Sequence, residues 1–476
     1  MEFKELLNLV SSDNAPGICI DSRLVKAGDI FVAVKGTACD GHDFIEQAVA
    51  SGAEYIVCQD GKSRVETTTV DDTAEAAAVL AQARNGNPAS QLTNLAVTGT
   101  NGKTTVAYLV RSCIQQAGHK CGLMGTVVYD TCSGQGSQAS LTTPDCLTIA
   151  AAQQEMVKNG AEYMVIEASS HALSQNRLAA INFKAAAFTN LSGDHLDYHK
   201  TKEEYLSAKA RLFSSLSPDA VAVLNKQSPE SETIAKQTNA EILWYAIDRQ
   251  ADVTAHIESM DISGTTFTLE HANQSVTTKI SLLGRYNVSN SLAAAGLCLA
   301  AGIDLEAVAD GLSAQRTIPG RLEKIDAAVD FSVIVDYAHT DDALKKVLST
   351  LKPLCRGELK VVFGCGGDRD KTKRPRMARV AGRLADMVIV TSDNPRTENP
   401  NDIINDIVDG FDEPDSQIVL IEPNRKRAIE LAIESAGKDD IILIAGKGHE
   451  TYQIIGTQKF DFDDREIARE FLKIKV

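Results

Sequence analysis

Apolar residues in this chain gather in short continuous runs, separated by stretches with helical spacing. Runs of that kind are what strands buried on both faces look like, as they are in parallel sheets. Toward the N-terminus, Ile30 to Val34 and Tyr55 to Cys58 predict short strands, and Phe44 to Ser51 predicts a helix. Further on, Leu95 to Thr98, Tyr163 to Glu167, Ala185 to Thr189 and Ala220 to Leu224 predict buried strands. Gly264 to Leu269 and Val276 to Leu283 have the look of an antiparallel insertion. The C-terminal part alternates most regularly, with strands expected at Val333 to Val335, Lys360 to Phe363, Met387 to Val390, Ile418 to Leu420 and Ile441 to Ile444. Such alternation implies an open, Rossmann-like sheet with ligands at the carboxyl ends of its strands.

Two turn-rich stretches punctuate this pattern, Asn85-Gly86-Asn87-Pro88-Ala89-Ser90 and Thr317-Ile318-Pro319-Gly320-Arg321. They divide the 476 residues into expected domains 1–88, 89–317 and 318–476, each of ordinary domain size. No repeat or low-complexity tract interrupts them. Composition narrows the class further. Lys+Arg 48 against Asp+Glu 64 gives a net charge of −16, which argues against a nucleic-acid or anionic-membrane binder, so any bound anion needs a local site. The longest apolar candidate, Leu292 to Ile303, is too short and too rich in Ala and Gly to span a membrane. The N-terminus lacks a signal pattern, and the ten cysteines are scattered without a C-x-x-C pair. That reads as reduced thiols in a cytoplasmic protein, most of them small buried hydrophobes.

The chemistry begins at Gly99-Thr100-Asn101-Gly102-Lys103-Thr104-Thr105, between an expected strand and the helical segment Val106 to Gln116. Glycines let backbone N–H groups close around phosphate oxygens, and the helix N-terminus adds a favourable dipole. Lys103 would meet the β- and γ-phosphates of ATP, and Thr104 would place its hydroxyl on Mg²⁺. The general P-loop has a glycine where this chain has Val97, so the loop is a shortened form.

That loop, together with Glu167-Ala168-Ser169-Ser170-His171, Asn190-Leu191-Ser192-Gly193-Asp194-His195-Leu196-Asp197-Tyr198-His199, Gly284-Arg285-Tyr286-Asn287-Val288-Ser289-Asn290, Pro319-Gly320-Arg321 and Asp336-Tyr337-Ala338-His339, resembles the Mur ligases. These are ATP-dependent amide-forming enzymes that build the peptidoglycan stem peptide. The motifs occur in one order and span most of the chain. Ala168 replaces a commoner valine and Lys200 a frequent glycine, and neither touches a proposed ligand. The resemblance implies a three-domain α/β protein: a small N-terminal domain for a UDP-linked substrate, a central ATP-binding domain and a C-terminal Rossmann-like domain for the incoming amino acid. It would act as a monomer.

Site roles follow from the same resemblance. Lys103, Glu167, His195 and Lys209 would be catalytic, with Thr104, Glu167 and His195 holding Mg²⁺. Lys209, in the Tyr205 to Phe213 segment, would carry a carbamate derived from CO₂, an anion that supports a second Mg²⁺; composition alone makes it an ordinary surface lysine. Read singly, Glu167 and His195 are structural caps or solvated side chains. Asn287 and Asn290 would face adenine or ribose, although a helix N-cap is the plainer reading of either. Arg321 would meet the γ-phosphate, and Asp336 the nucleotide. Ser22, within Asp21-Ser22-Arg23, belongs with the UDP site. Thr142, Thr143, Ser169, Gln175 and Arg177 would meet the muramyl peptide, Arg177 as a carboxylate partner.

The choice of amino acid rests on Asp393-Asn394-Pro395-Arg396, which resembles the signature of the diaminopimelate-adding members. Diaminopimelate has a distal carboxylate that an arginine fork binds bidentately. Arg369, Gly446 and Glu450 match further positions for this amino acid. The expected reaction joins meso-diaminopimelate to UDP-N-acetylmuramoyl-L-alanyl-D-glutamate through an acyl phosphate. A lysine-adding relative, a folylpolyglutamate synthase-like ligase and a P-loop regulatory ATPase that forms no bond are the alternatives.

Overall fold

The computed structural model describes residues 1–12, 14–36, 39–61, 63–192, 199–411 and 418–475. The chain divides into two compact units. One comprises Met1–His256, Phe267–Thr278 and Val288–Ala314; the other comprises Ile257–Thr266, Lys279–Asn287 and Gln315–Val476.

The first unit contains two sheets. Strands Ile18–Cys19, Ile30–Val32, Tyr55–Cys58 and Glu66–Thr69 form a parallel four-stranded sheet in chain order. Its core is completed by Leu6 and Val10 from helix Phe3–Val10 and by Leu80 from helix Thr73–Arg84. Both helices lie outside the sequence expectation. The expected helix is Ile45–Ala50, preceded by a 3-10 turn at Gly41–Phe44 that Asp40 caps.

In the larger sheet the parallel strands run in the spatial order Glu241–Ile247, Val221–Asn225, Phe183–Phe188, Thr93–Thr98, Tyr163–Glu167 and Cys121–Met124. Their near-continuous apolar character has a direct cause: Leu95, Val165, Ala186 and Val223 are completely shielded from solvent. A fully buried Val or Leu contributes about 1.5–3 kcal/mol. The expected insertion is a hairpin turning at Ala272-Asn273, both at positive φ.

The second unit holds a six-stranded sheet in the order Glu323–Ile325, Ser332–Asp336, Ile441–Ala445, Leu359–Phe363, Met387–Val390 and Ile418–Ile421. The first strand is antiparallel and the other five are parallel. All five parallel strands coincide with the sequence expectation, and the sheet is Rossmann-like. The last parallel strand in the chain inserts beside the first, bringing Asp336, Gly446, Gly366 and Asp393 to neighbouring strand ends. The hairpin Tyr452–Ile455 and Gln458–Asp461 that follows was not foreseen. Among the described residues no helix is long and apolar enough to cross a membrane, and the ten cysteines are free thiols.

Candidate active site

Strand Thr93–Thr98 lies between Phe183–Phe188 and Tyr163–Glu167, so the segments leaving all three strands meet at one edge. The first leads through Gly99 to Gly102 into helix Lys103–Gln116. Asn190 braces this loop: its carbonyl accepts from Thr100 N at 2.8 Å and its Oδ1 from Asn101 N at 3.1 Å. Lys103 Nζ donates to the carbonyls of Gly99 and Thr100, both at 2.9 Å. Backbone N–H groups, a helix N-terminus and an ammonium thus gather in one place, the set that suits phosphate.

Glu167 is fully buried at the end of its strand. Its Oε2 accepts from Thr104 Oγ1 and Thr126 Oγ1, each at 3.0 Å, and its Oε1 from Thr126 N at 2.8 Å. A buried carboxylate needs such donors. It is therefore neither a cap nor a solvated side chain. Hydroxyl and carboxylate are hard oxygen donors of the kind Mg²⁺ takes, with phosphate and water completing the shell. Among the described residues no three His, Cys, Asp or Glu converge. His195 lies outside the described residues.

Lys209 corrects the reading from composition: it is buried, with 1% of its surface exposed. Tyr205, Ala208, Lys209 and Leu212 form the inward face of helix Lys202–Ser214 at helical spacing. Lys209 Nζ donates to Gly99 O at 2.9 Å and lies 4.4 Å from the centre of the Tyr205 ring. The Tyr205 hydroxyl is 3.2 Å from Thr100 Oγ1. A second correction concerns the two asparagines, which sit within helix Arg285–Ala300 and are not its N-cap. Both are buried. Asn290 packs against the phosphate loop, where a Cβ on Gly102 would come within 3.1 Å of its Cγ. Asn287 Nδ2 donates to Leu283 O at 2.8 Å.

The expected peptide-binding residues form one connected network beside Glu167. Thr142 Oγ1 lies 3.1 Å from Thr126 Oγ1. Thr143 Oγ1 donates to Glu167 O at 2.6 Å and accepts from Ser169 N at 3.0 Å. Arg177 donates to Thr143 O at 2.7 Å and, through Nε and Nη2, to Gln175 Oε1. Ser22 bonds elsewhere, to Gln47 Oε1 at 3.2 Å.

In the second unit, Asp336 accepts from Leu322 N at 2.7 Å and Ala338 N at 2.8 Å. Burial raises its carboxyl above the usual carboxylate range, with Arg321 opposing the shift. The Arg321 guanidinium stacks 4.9 Å from the Tyr337 ring centre. His449 faces the same ring at 5.0 Å, and burial beside Arg321 and Arg465 lowers its imidazole to about 3, so it is neutral near pH 7.

Along the same sheet edge, Arg396 sits at φ 50°, with its N–H on Ile454 O and Nη1 on Gly367 O at 2.7 Å. Arg369 is exposed, and its Nη1 reaches only Asp368 O at 3.4 Å; both arginines flank Gly366. Asn394 Nδ2 donates to Glu450 Oε2 at 2.9 Å. Burial raises the Glu450 carboxyl, Lys447 lowers it and Asp393 raises it again. Lys447 received no role in the sequence reading. Its flanking glycines were the available signal, since they allow a side chain to turn inward.

These features define a phosphate-binding α/β protein with a shortened P-loop and a Rossmann-like sheet in its second unit. The sequence matches the Mur ligase family catalytic domain over residues 15–92, the Mur ligase middle domain over 97–298 and the Mur ligase glutamate ligase domain over 320–448. A relative from Bacillus licheniformis, named UDP-N-acetylmuramoyl-L-alanyl-D-glutamate--2,6-diaminopimelate ligase, is 45% identical over 464 residues, covering 96% of this chain and 94% of its own. One of the same name from Gloeobacter violaceus is 45% identical, covering 98% and 95%. A solved structure titled with that name superposes with a TM-score of 0.71 at 34% identity, covering 100% of this chain and 99% of its own. The chain belongs to the Mur ligase family.

Proposed function

We propose that this chain is an ATP-dependent ligase adding meso-diaminopimelate to UDP-N-acetylmuramoyl-L-alanyl-D-glutamate, a cytoplasmic step of peptidoglycan synthesis carried out by a monomer. A carboxylate resists attack by an amine because its leaving group is poor. Phosphorylation by ATP makes an acyl phosphate that the amine can displace, so the protein's task is positioning and charge neutralisation. Lys103 neutralises the transferring phosphoryl group. Thr104 and Glu167, with His195, hold Mg²⁺, which supplies further charge stabilisation at phosphate oxygens. Lys209 acts as a carbamate. Arg177 orients the peptide carboxylate beside Thr142, Thr143, Ser169 and Gln175, while Ser22 serves the UDP end. Asn287, Asn290, Arg321 and Asp336 serve the nucleotide. In the domain division 1–88, 89–317 and 318–476 the first piece serves the UDP end, the second ATP and the peptide, and the third the amino acid, with Arg321 and Asp336 also serving the nucleotide.

The observation that carries the choice of amino acid is Arg396, pinned by three hydrogen bonds through its N–H, carbonyl and Nη1 at the edge of a cluster of buried Asp393, Asn394 and Lys447 with half-buried Glu450. Its guanidinium reads the distal carboxylate of diaminopimelate bidentately, with Arg369 nearby. Lysine would leave that charge unanswered. Steady-state ligation with meso-diaminopimelate and L-lysine tests this. Wild type is expected to favour diaminopimelate by roughly 10³ or more in kcat/KM. Arg396→Ala is expected to raise KM for diaminopimelate more than it lowers kcat, without acquiring lysine use. Equal use of both amino acids by wild type refutes the assignment.

A further inference from the structure

Lys447 has no exposed surface, yet its side chain ends in a charge. Such a group is tolerated only where oxygen acceptors surround it. Three do: Asn394 Oδ1 at 3.1 Å, Asp393 Oδ1 at 3.4 Å and Glu450 Oε2 at 3.4 Å. They match the three N–H bonds of an ammonium. The local backbone is built to send this side chain inward. Gly446 and Gly448 on either side have φ +115° and +54°, and a Cβ on Gly448 would lie 2.7 Å from the Tyr337 Cβ.

The acceptors are themselves oriented. Asn394 Oδ1 also accepts from Ile454 N at 3.0 Å, which leaves its Nδ2 to donate to Glu450 Oε2. Gln453 Nε2 donates to Asp393 O at 2.6 Å. Lys447 therefore joins the loop after Met387–Val390 to the loop after Ile441–Ala445, and Asn394 and Asp393 tie that pair to the hairpin beginning at Tyr452. One ammonium faces two carboxylates, so the cluster retains one negative charge, suited to a cationic ligand. Lys447 is fully buried, and its ammonium is turned to these acceptors.

We propose that Lys447 is a positioning residue that holds Glu450 ionised and, with Asp393 and Asn394, aimed at the ammonium end of the incoming amino acid. The inference rests on the diaminopimelate reading above. Groups facing Glu450 from the packed elements are Lys447 and Asn394, which favour its ionised form, Asp393, which opposes it, the more distant Arg425, whose charge is shared with Asp464, and the rings of Tyr337 and Tyr452, whose hydroxyls feel its charge. Without Lys447, burial and Asp393 act on Glu450 with Asn394 and the Asp464-paired Arg425 against them. The carboxyl then takes up its proton at higher pH, and the cation site weakens as pH falls.

Full-length protein provides the test, with KM for meso-diaminopimelate measured from about pH 9 down to about pH 7. Lys447→Met should raise that KM about tenfold or more at neutral pH, increasingly as pH falls, with kcat and the KM for ATP little changed. In the double variant with Glu450→Gln, the two losses should fall well short of additive. Lys447→Arg, which keeps the charge, should retain a KM that does not vary with pH beyond the wild type. If the Met variant does not fold, that Arg profile decides: a pH-independent KM supports the proposal and a pH-dependent one overturns it. A folded Met variant with an unchanged, pH-independent KM also overturns it. Wild type that fails to ligate diaminopimelate refutes the functional reading, and this proposal with it.

Discussion

A single methyl group at Gly125 should disable the metal and phosphate corner by displacing the Glu167 carboxylate. Gly125 follows strand Cys121–Met124 and lies against the Glu167 side chain. An alanine Cβ there would overlap Glu167 Oε1 and stand 2.9 Å from its Cδ and 3.1 Å from its Cγ. The carboxylate cannot retreat freely, since Glu167 is fully buried and held by Thr104 Oγ1, Thr126 Oγ1 and Thr126 N. Hydrogen bonds to a charged group contribute about 1.5–3 kcal/mol each, so losing one corresponds to roughly 10- to 150-fold. A displacement of about 1 Å among positioned groups costs on the order of 10² in rate. Gly125→Ala should therefore lower kcat by about 10² or more and raise the Mg²⁺ needed for half-maximal ligation by about tenfold. Its KM for diaminopimelate should stay within about twofold, because that site lies in the other unit. A Mg²⁺ titration of product formation, with thermal melting to verify folding, measures all three. Wild-type kcat and Mg²⁺ dependence in a folded variant would refute the reasoning.

Two further outcomes follow from the same corner. Lys103→Ala should abolish both phosphate release and ligation, and wild-type phosphate release should require the UDP-linked dipeptide; brisk ATP turnover without that acceptor would instead favour a regulatory ATPase. Lys209→Ala should lose most activity and recover part of it with added short carboxylic acids, whereas full activity in the variant would refute the carbamate.

Much of the fold was legible because buried parallel strands have so little freedom in composition. Met387–Val390 and Tyr163–Glu167 match their apolar runs residue for residue, since every position in such a strand meets a covering layer. Elements with a different burial pattern were missed. Helix Thr73–Arg84 is half alanine with little segregation of polar from apolar residues, and it is buried nearly all round, so periodicity carried no signal. Strand Glu66–Thr69 buries only Thr68, and Gln458–Asp461 is exposed throughout, which makes both resemble loops. Edge strands are held by backbone hydrogen bonds that their side chains do not advertise.

The candidate site divides along a similar line. The glycine-rich loop was legible because phosphate chemistry demands those residue types at that place, whereas the acidic strand end drew a role only from the family resemblance. The environment of a side chain was much less so. Lys209 and Lys447 are both buried lysines, but composition alone gives Lys209 the look of a solvated residue. It donates to Gly99 O and lies over the Tyr205 ring on the same helix. For Lys447 the acceptors come from Asp393, Asn394 and Glu450, two of them more than fifty residues away in sequence. A lysine is driven inward by oxygen atoms that the fold assembles around it. Those atoms belong to other elements, so the driving force cannot be read at the lysine itself. The same holds for Gly125, an ordinary glycine in the sequence whose missing Cβ leaves room for a buried carboxylate arriving from the neighbouring strand.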